Sequence, residues 1–245
     1  MMNPAMTSIL AAQTIDEILD LRPDDIAGVM SQEEVTHILR LADCFWMHSG
    51  NPEDPHAILT SGKCSDGFVN VLPALSYTPI CNLFGAMIAR QIEQSYPNLH
   101  GRDVWVIGSA YAAIDLSKSV ADCLGARHGC GEKDGDAQRW QRLEIRPEDT
   151  VIQVEELMTT LKTLVAVRNG IIAGNSTPVR FAPFVATLVH RSPIEEFEGQ
   201  PIFRLAHYDI ETWEPEDCPL CKQGSERLKP KVPAENWQRL TGARR

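Results

Sequence analysis

Val151-Ile152-Gln153-Val154-Glu155-Glu156-Leu157-Met158-Thr159-Thr160-Leu161-Lys162-Thr163 is the stretch from which the rest of this chain can be read. An apolar run ends in two adjacent carboxylates, and hydroxyls follow at Thr159, Thr160 and Thr163. That order predicts a buried strand delivering a polar site at its carboxyl end, with a helix starting just beyond. In an open α/β sheet, ligands bind at that edge. Two acids beside a hydroxyl-rich helix start suit a sugar diol next to a phosphate. Glu155 and Glu156 accept from ribose hydroxyls, and the turn donates to the phosphate through backbone N–H and threonine hydroxyls.

Outward from this stretch, strands alternate with helices. Val104-Trp105-Val106-Ile107 reads as a compact strand closed by Gly108, and 113–124 as a helix with Gly125 just past its end. Ala126 to Cys130 reads as a strand, Gly129 to Asp136 as a mobile loop, and Thr160 to Asn169 as a helix capped by Gly170. Val179 to Val189 and Ile202 to Tyr208 read as strands, and Tyr77 to Ser95 as a long helix ended by Pro97. The expected fold class is α/β, a mostly parallel twisted sheet flanked by helices, with an N-terminal helical appendage. Ser31-Gln32-Glu33-Glu34 resembles a helix start, and that helix is expected to run to about His48. The expected organisation is an appendage over 1–52, the α/β domain over 53–212, and a surface-packed tail over 213–245.

Composition narrows the function. The 245 residues are 43% hydrophobic, enough for a buried core, and the net charge of −10 argues against a general nucleic-acid or anionic-membrane binder. With no apolar run long enough to span a bilayer and no secretory-type start, a cytoplasmic location is the default expectation. Seven scattered cysteines predict mostly reduced thiols. Cys218-x-x-Cys221 is at most half of a zinc site, because four ligands are usual. Packing is its default role; zinc, with His207 or a partner chain, and a redox pair are the alternatives. No residue is assigned as a metal ligand.

Several segments together resemble the type I phosphoribosyltransferases, most closely the orotate phosphoribosyltransferases, over about His56 to Lys231. Thr60-Ser61-Gly62-Lys63-Cys64-Ser65-Asp66-Gly67 is similar to the family's early hairpin, and Val106-Ile107-Gly108-Ser109-Ala110-Tyr111-Ala112-Ala113 to its pyrophosphate loop. Gly125-Ala126-Arg127 through Lys133 resembles the approach to its catalytic loop, and Glu155 through Thr160 its phosphoribosyl-diphosphate (PRPP) motif. His190-Arg191-Ser192 resembles a segment whose Arg pairs with the orotate carboxylate. Glu214-Pro215-Glu216-Asp217-Cys218-Pro219-Leu220-Cys221 is close to a tail in one bacterial branch.

The resemblance implies a transferase of pyrimidine nucleotide synthesis that uses PRPP and a base such as orotate. It implies Mg²⁺ bound mainly through PRPP, and a homodimer. Glu155, Glu156, Lys133 and Lys63 would be catalytic, with Arg127 as further positive charge. Ser109, Ala110, Tyr111, Thr159, Thr160, Leu161, Lys162 and Thr163 would hold PRPP, and Arg191 the base. The chain departs from the family at Glu156, where an Asp is usual, at Ala112-Ala113 in place of a Gly pair, and at Leu161-Lys162, where a Gly is usual. Leu161 is expected to crowd the phosphate turn, and Lys162 to restore part of the charge. Rival readings are a phosphoribosyltransferase for another base and a non-catalytic nucleotide sensor on the same fold.

Overall fold

A computed structural model describes residues 8–135 and 137–242. Residues 1–7 of the N-terminal appendage, Asp136 at the end of the expected loop and 243–245 of the tail lie outside it. The main sheet runs Glu196–Phe197, Gln200–His207, Val185–His190, Thr150–Met158, Val104–Gly108, Arg127–Cys130. All pairings among its long strands are parallel. The short edge strand Glu196–Phe197 is antiparallel to its neighbour, and Arg180–Phe181 pairs alongside the start of Thr150–Met158.

Side chains alternate across the strands, so neighbouring residues serve different cores. Val104, Val106, Ile152 and Val154 enter one large cluster with Ile80, Phe84, Ile88 and Ile92 of the helix Thr78–Ser95, and with Leu116 and Val120 of the helix Ile114–Cys123. Trp105, Ile107 and Val151 face the other way, onto Val167 and Ile171 of the helix Lys162–Gly174. Burial on both faces is why these strands read as continuous apolar runs. Ile18, Val35, Ile38 and Leu39 from the N-terminal helices also pack into the large cluster.

Four segments differ from their sequence-based reading. The helix at Ser31 begins as expected, with reciprocal Ser31 and Glu34 capping, but covers Gln32–Leu41 rather than reaching His48. Asp43 takes a positive φ of 55°, and Phe45–Met47 becomes a strand antiparallel to Gly67–Val69. Gly170 is no cap, because the helix continues to Gly174. A Cβ on Gly170 would lie 2.0 Å from the Gln138 carbonyl oxygen, and one on Gly174 1.8 Å from that of Trp140. Both glycines admit another backbone, Gly170 from within the helix and Gly174 at its last residue. That backbone lies just past the Gly129–Asp136 stretch expected to be a mobile loop, within which Glu132–Asp134 is a strand paired with Ala137–Arg139.

The tail is also more than a surface strap. Thr212–Trp213 and Arg227–Leu228 flank Cys64–Ser65 and His56–Ile58 in a four-stranded hood sheet. Trp237 and Leu240 of the helix Glu235–Thr241 pack with Trp46, whose indole N–H donates to the Leu240 carbonyl at 2.7 Å.

Candidate active site

The chain leaves Val104–Gly108 toward Arg127–Cys130 on one side and returns as Thr150–Met158 on the other. The carboxyl ends of these two central strands therefore flank a topological switch point, the crevice where open α/β sheets bind ligands. Ser109 leaves the first strand there, and Glu155 and Glu156 lie near the end of the second. The Ser109 hydroxyl donates to Glu155 Oε2 at 2.7 Å.

Glu155 is 4% exposed. Burial drives its pKa well above the ordinary glutamate range, the neighbouring Glu156 raises it further, and the Ser109 hydroxyl only partly opposes this. Glu156 is raised too, mainly by burial, against the backbone N–H groups of Glu156 and Leu157. Its Oε2 is buried without a hydrogen-bond partner among the described residues. An acid pair in this condition calls for hydroxyl donors or a hard cation.

Beyond the acids, Thr159, Thr160, Lys162 and Thr163 are exposed. Leu161, the N-cap of the helix Lys162–Gly174, gives no side-chain cap, and the Lys162 N–H makes only a long 3.5 Å bond to Thr160 Oγ1; a helix start of this kind suits an anion. Leu161 does not crowd this turn as expected. Its φ of −82° is ordinary backbone, so no glycine is needed there. Its side chain packs on the cluster of Met158, Leu164, Val185, Phe197 and Ile202.

In the loop after Val104–Gly108, Ala110 is held at both peptide groups by Gln138. Its N–H donates to Gln138 Oε1 at 3.3 Å, and Gln138 Nε2 donates to its carbonyl at 3.3 Å. Tyr111 is exposed. No local pattern singles out Gln138, which lies on the strand Ala137–Arg139. Gly108 has a packing reason, since a Cβ would meet Ser117 Oγ at 2.5 Å and the Ala113 carbonyl at 2.6 Å.

Arg191 follows Val185–His190, and its N–H donates to the Met158 carbonyl at 2.9 Å, beside the threonine turn. It lines a cavity of about 530 Å³ with Ser192, Tyr208, Ile210 and Trp213. Its Nε is buried with no partner among the described residues. Burial works against the guanidinium charge, and the Asp66 carboxylate favours it.

The basic residues are more scattered. Lys63 lies in the hood and pairs with Glu214 at 2.9 Å. Lys133 is exposed on the strand Glu132–Asp134. Arg127 is at the opposite end of the sheet from the acids: it stacks 4.1 Å over Trp105 and pairs with Asp149 at 3.5 Å. Its place at the start of a parallel strand, rather than the end, removes it from the site. His207 meets His190 edge to face, with ring centres 5.0 Å apart, and lies 3.2 Å from Asp209.

No family model matches the chain. The orotate phosphoribosyltransferase of Heliobacterium modesticaldum is 30% identical over 202 residues, covering 82% of this chain and 98% of that one. That of a Thermoanaerobacter species is 30% identical over 179 residues, covering 71% and 87%. Among solved structures, Leishmania donovani UMP synthase matches with a TM-score of 0.51 at 16% identity, over 75% of this chain and 37% of that one; it agrees in fold. With a sheet of this type and a relative matched along nearly its whole length, the chain belongs to the orotate phosphoribosyltransferase family.

Proposed function

We propose that the chain transfers the 5-phosphoribosyl group of PRPP to orotate, releasing pyrophosphate and forming orotidine 5-phosphate. The observation that carries this is the pair of buried Glu155 and half-buried Glu156 at the switch point, short of donors and ahead of a helix start whose N-cap residue gives no side-chain cap. Under this reading the acids accept from the ribose 2- and 3-hydroxyls. Thr159, Thr160, Thr163 and the first-turn N–H groups take the 5-phosphate, with Lys162 adding a point charge and Leu161 anchoring the turn from below. Ser109, Ala110 and Tyr111 hold the pyrophosphate. The bond from C1 to the pyrophosphate oxygen breaks, its electron pair leaves with pyrophosphate, and a ring nitrogen of the base bonds to C1 from the opposite face. The protein contributes placement and stabilisation of the leaving charge.

The oxygen donors of Glu155 and Glu156 suit a hard cation. Mg²⁺, carried mainly by PRPP, would neutralise pyrophosphate charge, with these two residues as its protein contacts. Arg191 presents an unpartnered Nε to a base carboxylate, where a guanidinium binds in two-pronged fashion. Lys133, exposed on its strand, and Lys63, paired with Glu214, would add positive charge for the anionic substrate. Family resemblance supports a homodimer, and the chain's acidic charge and lack of a spanning helix among the described residues accord with work in the cytoplasm.

The test is pyrophosphate release from PRPP with a panel of bases. Orotate is expected to be turned over in preference to uracil and adenine. Arg191→Ala is expected to raise the orotate KM at least about tenfold, as for truncation of one partner of a buried charge pair, while the KM for PRPP stays within about twofold. Calorimetric PRPP binding with no turnover of any base would refute transfer.

A further inference from the structure

Outside the acid pair, one more cluster of chemistry-bearing side chains converges. His56, Cys64, Cys218 and Cys221 come from the strands His56–Ile58 and Cys64–Ser65 and the short helix Pro219–Lys222. One ligand atom from each lies within 4.8 Å of all the others. His56, Cys64 and Cys218 are fully buried. We propose that these four residues form a structural zinc site that fastens the C-terminal segment to the hood sheet.

Three of the six ligand-to-ligand distances match the edges of a tetrahedron, and all six lie within 4.8 Å. With Zn–S near 2.3 Å and Zn–N near 2.0 Å, the edges of a tetrahedral site are about 3.8 Å between sulfurs and about 3.6 Å from sulfur to nitrogen. Cys64 Sγ and Cys221 Sγ are 3.6 Å apart. His56 Nε2 is 3.6 Å from Cys218 Sγ and 3.4 Å from Cys221 Sγ. A disulfide would need one sulfur pair at about 2.05 Å, and all the cysteines are free.

The surroundings fix the imidazole for this task. The Ser225 hydroxyl donates its one hydrogen to the Asp54 carbonyl at 2.6 Å, an atom that can only accept. Its 2.8 Å contact with His56 Nδ1 is therefore a bond that Nδ1–H donates. The lone pair is left on Nε2, the atom facing the sulfurs. Metal-bound histidines are oriented this way by a partner on the far nitrogen. The Cys221 N–H donates to Cys218 Sγ at 3.4 Å, supporting a thiolate. Three thiolates and one imidazole, three of the four side chains fully buried, select a borderline-soft cation in a structural rather than catalytic role. The sequence offered only the Cys218-x-x-Cys221 half, with His207 as a guess. The completing ligands lie 157 and 162 residues away from their partners in the cluster.

The experiment uses the full chain, reduced, loaded with Zn²⁺ and freed of excess metal. Elemental analysis is expected to give one zinc per chain, and Co²⁺ in its place to give the strong visible bands of a tetrahedral site with thiolate-to-metal absorption in the near ultraviolet. Cys218→Ser and His56→Ala are each expected to lose metal affinity at least about tenfold, and chelation to lower the melting temperature. Less than a tenth of an equivalent of zinc, a six-coordinate cobalt spectrum, or a Cys64–Cys221 disulfide in fresh protein would overturn the site. The cobalt spectrum is read on the unaltered chain, so it stands even if a variant fails to fold. None of these readouts depends on transferase activity.

Discussion

Asp149 and Glu155 are buried carboxylates at opposite ends of one strand, and their surroundings drive them in opposite directions. At the amino end, Asp149 accepts from the Arg146 guanidinium and N–H and from the Trp105 indole N–H, with Arg127 close by. These donors hold its pKa below the usual value despite burial. At the carboxyl end, Glu155 has one hydroxyl, and its charged neighbour Glu156 has an oxygen with no donor among the described residues. Both are raised. The same burial is compensated where the acid serves the fold and left uncompensated at the end where we propose that a ligand binds.

The sharpest way to break this contrast is Glu155→Ala. Turnover is expected to fall about a thousandfold, the scale for removing an electrostatic group that acts at the reacting centre; unchanged pyrophosphate release would remove Glu155 from the ribose site. The conservative Glu155→Gln should have the opposite effect on stability. A raised carboxyl gives folding stability that is whole below its ordinary value near 4.5 and is lost as pH rises through the raised value. The amide variant should therefore melt higher than the parent at about pH 8, with the gap closing toward about pH 5.

Asp149→Asn tests the other end. Its lowered pKa gives stability that is present above the ordinary value of 3.8 and lost as pH falls through the lowered one. Urea unfolding at neutral pH should show a loss of about 2 kcal/mol, the scale for hydrogen bonds to a charged group, with PRPP binding intact. A variant as stable as the parent would mean that the donors around Asp149 contribute nothing net. The smallest effect is expected for Leu161→Gly, a loss of about 1 to 2 kcal/mol from packing and backbone freedom with no gain in PRPP affinity. A clear gain would revive Leu161 as an obstruction.

The parallel strands, the start of the helix at Ser31 and the placing of the acids at a sheet edge were legible in the sequence, because each is written in local pattern: apolar runs, a cap, a carboxylate pair before threonines. What escaped depends on contacts distant in sequence. Phe45–Met47 is a strand only because Gly67–Val69 lies beside it. Gly170 looks like a helix end until the Gln138 backbone is seen against it. Leu161 looked obstructive because side-chain direction at a helix start is not encoded in spacing; in the fold it points into the cluster around Phe197. His56 and Cys64 are unremarkable alone and become a pair of ligands only when the tail closes over them.

The two bare positions on the helix Lys162–Gly174 have a mechanical result. Because Gly170 and Gly174 let the segment through Gln138 and Trp140 rest directly on that helix, the clamp on Ala110 and the threonine turn are both held by one helix. Under the proposed function, the 5-phosphate and pyrophosphate ends of PRPP would meet loops braced against one and the same helix.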